Sequence, residues 1–300
     1  MSTFPAGAVG STVSNTAGST VSNTVGSTAG GAAFAEGAEG FASSSTSTGE
    51  HGAAIRAGQA AIAIALLLIW HVVSGRWIDP FFISSPAAVA EKLWSWSVDG
   101  TLWHAFSYTF KAMIIGFVIG SLAGFTTGFV LGRSDILARL FDPFITAIYC
   151  MPKIALAPLL ILWFGIGIES KVAMSALIVF FLIFLNTFSG VRDVNPLYLQ
   201  VTSIMGANAW QQLRLVIFPS AAAWVLTGLK VSVPYALIGA VVGELISSNR
   251  GIGFLIGQAS GIFDTAGVFA GLAVLAATGI VLNAGLKRLE TRLLRWRAPR

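Results

Sequence analysis

The chain has 300 residues, 55% of them hydrophobic and only 10% charged, with a formal net charge of +5. A soluble globular chain carries about 25% charged residues, so composition excludes an ordinary water-soluble domain. One cysteine, Cys150, excludes an intramolecular disulfide, and the three histidines His51, His71 and His104 lack metal-ligand spacing, so neither a metal site nor a cofactor is expected.

Residues 1–54 open the chain as a different material. GSTVSNTA (10–17) and GSTVSNTV (18–25) repeat with an eight-residue period, and the first 50 residues hold no Lys or Arg. Such a stretch cannot bury enough apolar surface to offset its ordering entropy and is expected to be a disordered tail. It lacks the basic start of a signal peptide.

Six membrane spans are expected after it, near 57–73, 108–132, 140–168, 171–191, 221–246 and 266–287. Stretches 112–131, 172–191 and 266–286 contain no charge and are each long enough to cross a ~30 Å hydrocarbon core. None alternates with period two, which excludes a membrane β-barrel. The fold class is therefore all-α and polytopic, a six-helix bundle. Residues 55–110 hold the first span and its connection, and 111–297 hold the transmembrane domain.

An even number of spans places both termini on one side. The basic cluster Lys287, Arg288, Arg292, Arg295, Arg297 and Arg300 makes that side cytoplasmic by the positive-inside rule, and explains the net charge without nucleic acid. Arg133, Arg139, Arg192 and Arg214 then fall in cytoplasmic loops, whereas Arg76, Lys92, Lys171 and Arg250 fall in outer connections. Trp77, Trp94, Trp96 and Trp103 mark an outer interface belt. In the second span Gly116, Gly120, Gly124, Gly128 and Gly132 recur every four residues, on one helical face. Such a ladder admits a neighbouring helix closely, within this chain or across a dimer, and packing within the chain is the favoured reading.

The segment 195–219, NPLYLQVTSIMGANAWQQLRLVIFP, separates two apolar runs. Gln200, Thr202, Asn208, Gln211, Gln212 and Arg214 are too costly for lipid, since a central Arg alone costs about 3 kcal/mol on insertion scales. Val201, Ile204 and Met205 share a helical face, as do Trp210 and Leu213. Gly206 and Ala207 lie between, and Pro219 closes the segment and opens the next span. The pattern predicts a short amphipathic element across the cytoplasmic end of the bundle.

This segment resembles the cytoplasmic coupling loop of bacterial ABC-importer permeases: Glu-Ala-Ala, three residues, Gly, nine residues, Ile, one residue, Leu-Pro. Gly206 takes the glycine position, Val216 that of the Ile, Phe218 that of the Leu, and Pro219 the proline. Gln200, Val201 and Thr202 take the Glu-Ala-Ala position, so the family's acidic residue is absent here. The stretches 151–167 (MPKIALAPLLILWFGIG), 184–194 (FLNTFSGVRDV) and 243–256 (GELISSNRGIGFLI) are similar to the nitrate/sulfonate/taurine branch of that family.

The resemblance implies a half-transporter in the bacterial inner membrane. Its implied partners are a second permease copy, a cytoplasmic ATPase dimer gripping the loop, and a periplasmic or lipid-tethered binding protein that delivers a small anion such as a sulfonate, taurine or nitrate. The chain has no G-x-x-x-x-G-K-[ST], so ATP hydrolysis is expected in a separate subunit and the chain is not itself an enzyme. A non-anionic nutrient such as a thiamine precursor, an ion-gradient-driven transporter and a non-transporting scaffold are the competing readings.

Lys153, Lys230 and Glu244 fall within the spans, at about 2.5–3.5 kcal/mol each at a helix centre unless paired or hydrated. Lys153 follows Pro152, where freed carbonyls can face a pathway, so Pro152, Lys153 and Glu244 are the pathway candidates. The alternative for Lys153 is a structural pair with Glu244. Lys230 is expected to snorkel, and Glu244 to cap a helix or pair with Arg250. Gly165-Ile166-Gly167 and Gly251-Ile252-Gly253 are read as turns, not as dinucleotide-binding fragments.

Overall fold

A computed structural model describes residues 49–79 and 81–293. They divide into a unit ending at Ala63, described from Gly49 as the first turns of helix α1 (Gly49–Val73), and a unit from Ile64 onward that carries everything below. The tail read over 1–54 lies outside the described residues as far as 48, and its last residues belong to α1. Arg295, Arg297 and Arg300 of the basic cluster also lie outside them.

Among the described residues the regular elements are all helices, apart from an isolated bridge between Ser74 and Ile78. Helix α2 (Pro86–Val98) starts on a Ser85 cap, whose side chain accepts from the Ala88 N–H with Pro86 in the first turn. Then come α3 (Thr101–Arg133), α4 (Asp135–Cys150), a 3-10 turn (Lys153–Leu156), α5 (Ala157–Phe164), α6 (Ile168–Arg192), α7 (Pro196–Ile204), α8 (Ala209–Gln212), a π-turn (Leu213–Ile217), α9 (Phe218–Ile246), α10 (Ile252–Gly261) and α11 (Thr265–Leu293).

Four stretches are long and apolar enough to cross a membrane: Thr101–Arg133, Ile168–Arg192, Ala209–Ile246 and Thr265–Arg288. The chain is an all-α polytopic membrane protein. The expected third span differs from a simple crossing, because α4 and the stretch Lys153–Phe164 meet at 85°. Pro152 has no N–H to donate, and it drives the preceding Met151 into extended backbone (φ −68°, ψ 132°), which ends α4. The expected first span is the shorter apolar helix Ala57–Val73. Six crossings, and the sidedness argued from an even number, therefore depend on counting that helix and the bent pair as one span each.

Helix α6 is the centre of the bundle, with α3 running parallel to it on one side and α9 antiparallel on another. The glycine ladder explains the first contact. All five glycines are buried, and each faces α6 backbone or Cβ atoms one register step further along. A Cβ added to Gly116 would stand 2.5 Å from Ser175 Cβ, and one at Gly128 2.7 Å from the Phe184 carbonyl oxygen. The ladder thus packs within the chain, as favoured above. On the other side Gly228 faces Asn186, Gly239 faces Ser175, and the Ser175 hydroxyl donates to the Ala236 carbonyl at 3.0 Å. Lipid drives no hydrophobic association, so this close backbone approach supplies the packing energy.

One expected result follows. Gly124→Leu should lower the melting temperature of the detergent-solubilised protein, since its Cβ would sit 2.6 Å from the Phe180 carbonyl oxygen and overpacking costs about 1–3 kcal/mol. Gly279, also in a membrane helix but with nothing within 4 Å of an added Cβ, is the control, and Gly279→Ala should leave the melting temperature unchanged or raise it.

The end of the bundle holding the α3 N-terminus and the α9 C-terminus carries the aromatic residues expected of a belt. Trp77, Trp94 and Trp103 are exposed, whereas Trp96 turns inward against the cluster of Ala105 and Ile252. There Lys92 of α2 bonds Asp264 of the α10–α11 turn at 2.6 Å, and Asp264 also accepts from the Gly267 N–H at 2.9 Å. Burial raises the Asp264 pKa, but the Lys92 ammonium and the Gly267 N–H outweigh it and hold the carboxyl below its ordinary value of 3.8.

A depressed carboxylate stabilises the fold above its ordinary pKa and loses that contribution as pH falls through the lower folded value. The wild type should therefore lose more stability than Lys92→Ala when pH is lowered from 6 to below 3.8, and the two melting curves should converge. Parallel curves would contradict the ion pair's role.

Candidate functional site

Two places combine unusual chemistry with unusual backbone. The first is the segment 195–219. The Asn195 side chain caps α7 by accepting from the Leu197 N–H at 2.9 Å. At its other end the Gly206 N–H donates to the Ser203 carbonyl at 2.9 Å and the Ala207 N–H to the Thr202 carbonyl at 3.0 Å. That bond pair closes a helix over a left-handed residue, and Gly206 holds φ +82°. Helix α8 then starts on a reciprocal cap. Gln211 N–H donates to the Asn208 side chain and Asn208 N–H to the Gln211 side chain, both at 2.8 Å. Gln212 of α8 donates to the Ser203 hydroxyl of α7 at 2.7 Å, locking the two short helices together.

The polar residues are thereby used to fix shape, and the apolar ones are left outside. Ile204 is 86% exposed, Met205 79% and Trp210 67%, with Val201 and Phe218 also exposed. Gly206 has nothing within 4 Å of an added Cβ.

Pro219 does not close this segment as expected, because Ala209–Ile246 is one helical run. The proline ring would clash with the carbonyl four residues back, and the missing N–H would leave that carbonyl unpaired. The chain widens instead: Leu213–Ile217 forms a π-turn, and the Phe218 N–H donates to the Leu213 carbonyl. Val216 lies inside that turn. Arg214 sits there too, while Arg192 at the same end reaches Asp135 at 3.1 Å.

The second place is the break at Met151–Pro152, midway along α6. The Lys153 ammonium donates to the Tyr149 carbonyl at 3.0 Å, a carbonyl left free by the end of α4. It lies 5.0 Å from the ring centroids of both Tyr149 and Phe181. Lys153 is half-buried, and Pro152 is exposed beside it. A hollow of about 270 Å³ lined by Met113, Phe117, Leu282 and neighbours lies elsewhere, between α3, α9 and α11. Its apolar lining offers an anion no hydrogen bond.

The structure does not bring Lys153 and Glu244 together, so the suggested pair between them is corrected. Glu244 is 1% exposed, and it accepts from the Thr109 hydroxyl and from the Gly253 N–H, each at 2.9 Å. It caps α10 rather than pairing with Arg250. The charge that attracts it is Lys171, read above as a residue of an outer connection and here fully buried. Lys171 donates to the carbonyls of Ile166 and Ser247 and to the Ser170 hydroxyl.

This cluster was missed because Lys171 borders an uncharged run and reads as its flank. The available signal was Gly251-Ile252-Gly253, seven to nine residues after Glu244. Gly251 holds φ +107°, and a Cβ there would overlap the Glu244 carboxylate. Among the described residues no group of His, Cys, Asp and Glu could hold a metal ion.

With this geometry in view, comparison with known proteins is decisive. The family described as binding-protein-dependent transport system inner membrane component matches residues 87–295. The chain belongs to this family. The formylaminopyrimidine transport permease protein ThiX of Halalkalibacterium halodurans is 33% identical over 78% of this chain and 93% of its own. The taurine transport system permease protein TauC of Escherichia coli is 31% identical over 78% and 87%, and the riboflavin transport system permease protein RibX of Chloroflexus aurantiacus 36% over 78% and 87%. The inward-facing MetNI methionine ABC transporter shares the fold, with TM-score 0.51 at 17% identity over 68% of this chain and 97% of that one.

This member of the family is the permease subunit of an ABC importer, a multi-pass inner-membrane protein of the branch that includes taurine and sulfonate permeases. ATP hydrolysis belongs to a separate subunit, and a substrate-binding protein completes the system. Ion-gradient-driven transport does not apply.

Proposed function

We propose that two copies of this chain form the pore, that both termini and the segment 195–219 face the cytoplasm, and that this segment docks into the ATPase. The supporting observation is the exposure of Ile204, Met205 and Trp210 on a segment whose Asn195, Ser203, Asn208, Gln211 and Gln212 side chains are tied into its own caps and links. Exposed apolar anchors of this kind are what a partner groove covers. Gln200, Val201, Thr202, Ala207, Val216 and Phe218 frame the same surface. Gln200, standing where the family has an acid, reaches the ATPase without an ion pair.

The route passes the break at Pro152, and Lys153 favours a small anion such as a sulfonate. An ammonium halfway through the membrane, held by a free carbonyl and two rings, lowers the desolvation cost of an anion there. A planar heterocycle, as in the relatives named for formylaminopyrimidine and riboflavin, is the second reading, favoured by the Tyr149 and Phe181 rings on either side of Lys153.

Both readings are tested in proteoliposomes holding the permease, its ATPase and its binding protein. ATP-driven uptake of taurine, reduced about tenfold or more by Lys153→Gln with the ATPase still bound, supports the anion reading, since a charge-assisted hydrogen bond contributes about 1.5–3 kcal/mol. Uptake of formylaminopyrimidine alone, unaffected by Lys153→Gln, supports the second.

A further inference from the structure

Beyond the coupling segment and the break, the buried charges at the opposite end of the bundle have no part in the function described so far. We propose that Thr109, Lys171 and Glu244 are positioning residues of an outer gate, a polar staple that seals the route between the break and the outside. The proposal rests on the break being part of that route.

The staple joins four separate pieces of chain. Glu244 of α9 takes hydrogen bonds from Thr109 of α3 and from the N–H of Gly253, in the first turn of α10. The Thr109 oxygen also accepts from the Ile252 N–H at 2.9 Å, so the start of α10 is held twice. Lys171 of α6 holds the carbonyl of Ile166, in the α5–α6 turn, and that of Ser247, just past the end of α9. The α5–α6 turn is only the eight residues of α5 away from the end of the 3-10 turn at Lys153–Leu156. Lys171 thus fastens the chain directly after α5, the helix that leads away from the break.

Three features distinguish a gate from a plain structural tie. Both charged side chains are fully buried, and among the described residues the Glu244 Oε1 atom has no hydrogen-bond partner. A buried carboxylate compensated this thinly depends on its few remaining bonds, so losing any one of them weakens the whole arrangement. The pieces it joins also end in backbone able to move as hinges: Gly165 at φ +79° before the α5–α6 turn, and Gly251 at φ +107° before α10. Finally, Gly251 and Gly253 are the two positions where a Cβ would strike Glu244, so the carboxylate reaches α10 only because both lack one.

The chain carries its own reporter. Cys150 is its single cysteine, exposed at the break. The complete complex of permease, ATPase and binding protein is placed in sealed vesicles of known orientation. A membrane-impermeant methanethiosulfonate is added from one side or the other, and modification of this chain is read by mass.

Without nucleotide, Cys150 should react from the cytoplasmic side alone. Thr109→Val, which removes the Thr109 hydrogen bonds to Glu244 and Ile252 at nearly constant shape, should raise labelling from the outside at least fivefold. Thr109→Ser should behave as wild type. In the wild type, trapping the ATPase with ATP and vanadate should open the staple and raise outside labelling. A tie with no gating role would lower yield and melting temperature without changing the side of labelling.

Unchanged outside labelling both in Thr109→Val and in the vanadate-trapped wild type overturns the gate and leaves the route standing. Cys150 that reacts from neither side in any nucleotide state overturns the route itself, and the gate with it.

Discussion

Gly206→Asp should abolish co-purification of the ATPase subunit while the permease still inserts and elutes as a single species. The reason is more specific than helix breaking. Gly206 sits in left-handed backbone, which costs an alanine about 1–2 kcal/mol but is better tolerated by Asn and Asp. Its Cβ direction is open, so a new side chain meets nothing within this chain. It would stand out from the surface proposed to enter the ATPase groove.

The series Ala, Asn, Asp therefore separates backbone from surface. If the groove contact matters, Asn and Asp lose the ATPase although their backbone is tolerated, with Asp worse because it also brings a charge. If only the helix end matters, Ala is the worst of the three. Trp210→Ala should weaken the same interface by about 2 kcal/mol or more, the usual size of an aromatic anchor, or about thirtyfold in affinity. Intact co-purification across all these variants would remove the docking role from this segment.

Lys171→Met should be the most damaging single substitution for folding. It leaves Glu244 buried with no counter-charge and leaves the Ile166 and Ser247 carbonyls without their donor. Leaving a buried acceptor without its donor typically costs about 1–3 kcal/mol, and two carbonyls lose theirs here, a large share of a domain's stability. The yield of monodisperse protein should collapse. Glu244→Gln in the same chain removes the stranded charge and should recover a substantial part of that yield. Glu244 also makes two hydrogen bonds of its own that Gln can keep in part, so the single Glu244→Gln should be milder than Lys171→Met. A double variant no better than Lys171→Met alone would show that the two charges do not stabilise one another, whatever their proximity.

Much of this was legible because it depends on local composition. Uncharged runs of twenty residues cannot be solvated as helices, so 112–131, 172–191 and 266–286 announce spans whatever packs against them. The glycine ladder is likewise a property of one helix face, although only the fold shows that α6 covers it. The spacing from Gly206 to Pro219 carried the family.

Other features were legible only in part. Pro219 was read as ending the segment and opening the next span, and it does lie in the first turn of α9, but the sequence does not say whether the chain before it breaks or widens. Here it widens through five residues of π-turn, whereas at Pro152 the chain breaks and bends. The difference lies in what surrounds each proline.

The sequence by itself determined that this is a helical membrane protein with an ordered polar segment between two spans, since solvation free energy and helix periodicity are summed over neighbouring residues. Only the tertiary structure decided which buried polar groups gather. Thr109, Lys171 and Glu244 stand 62 to 135 positions apart, and the bond from Thr109 to Glu244 spans 135. No local rule relates them, because the surroundings of a buried charge are dictated by which helix ends the bundle brings to the same depth.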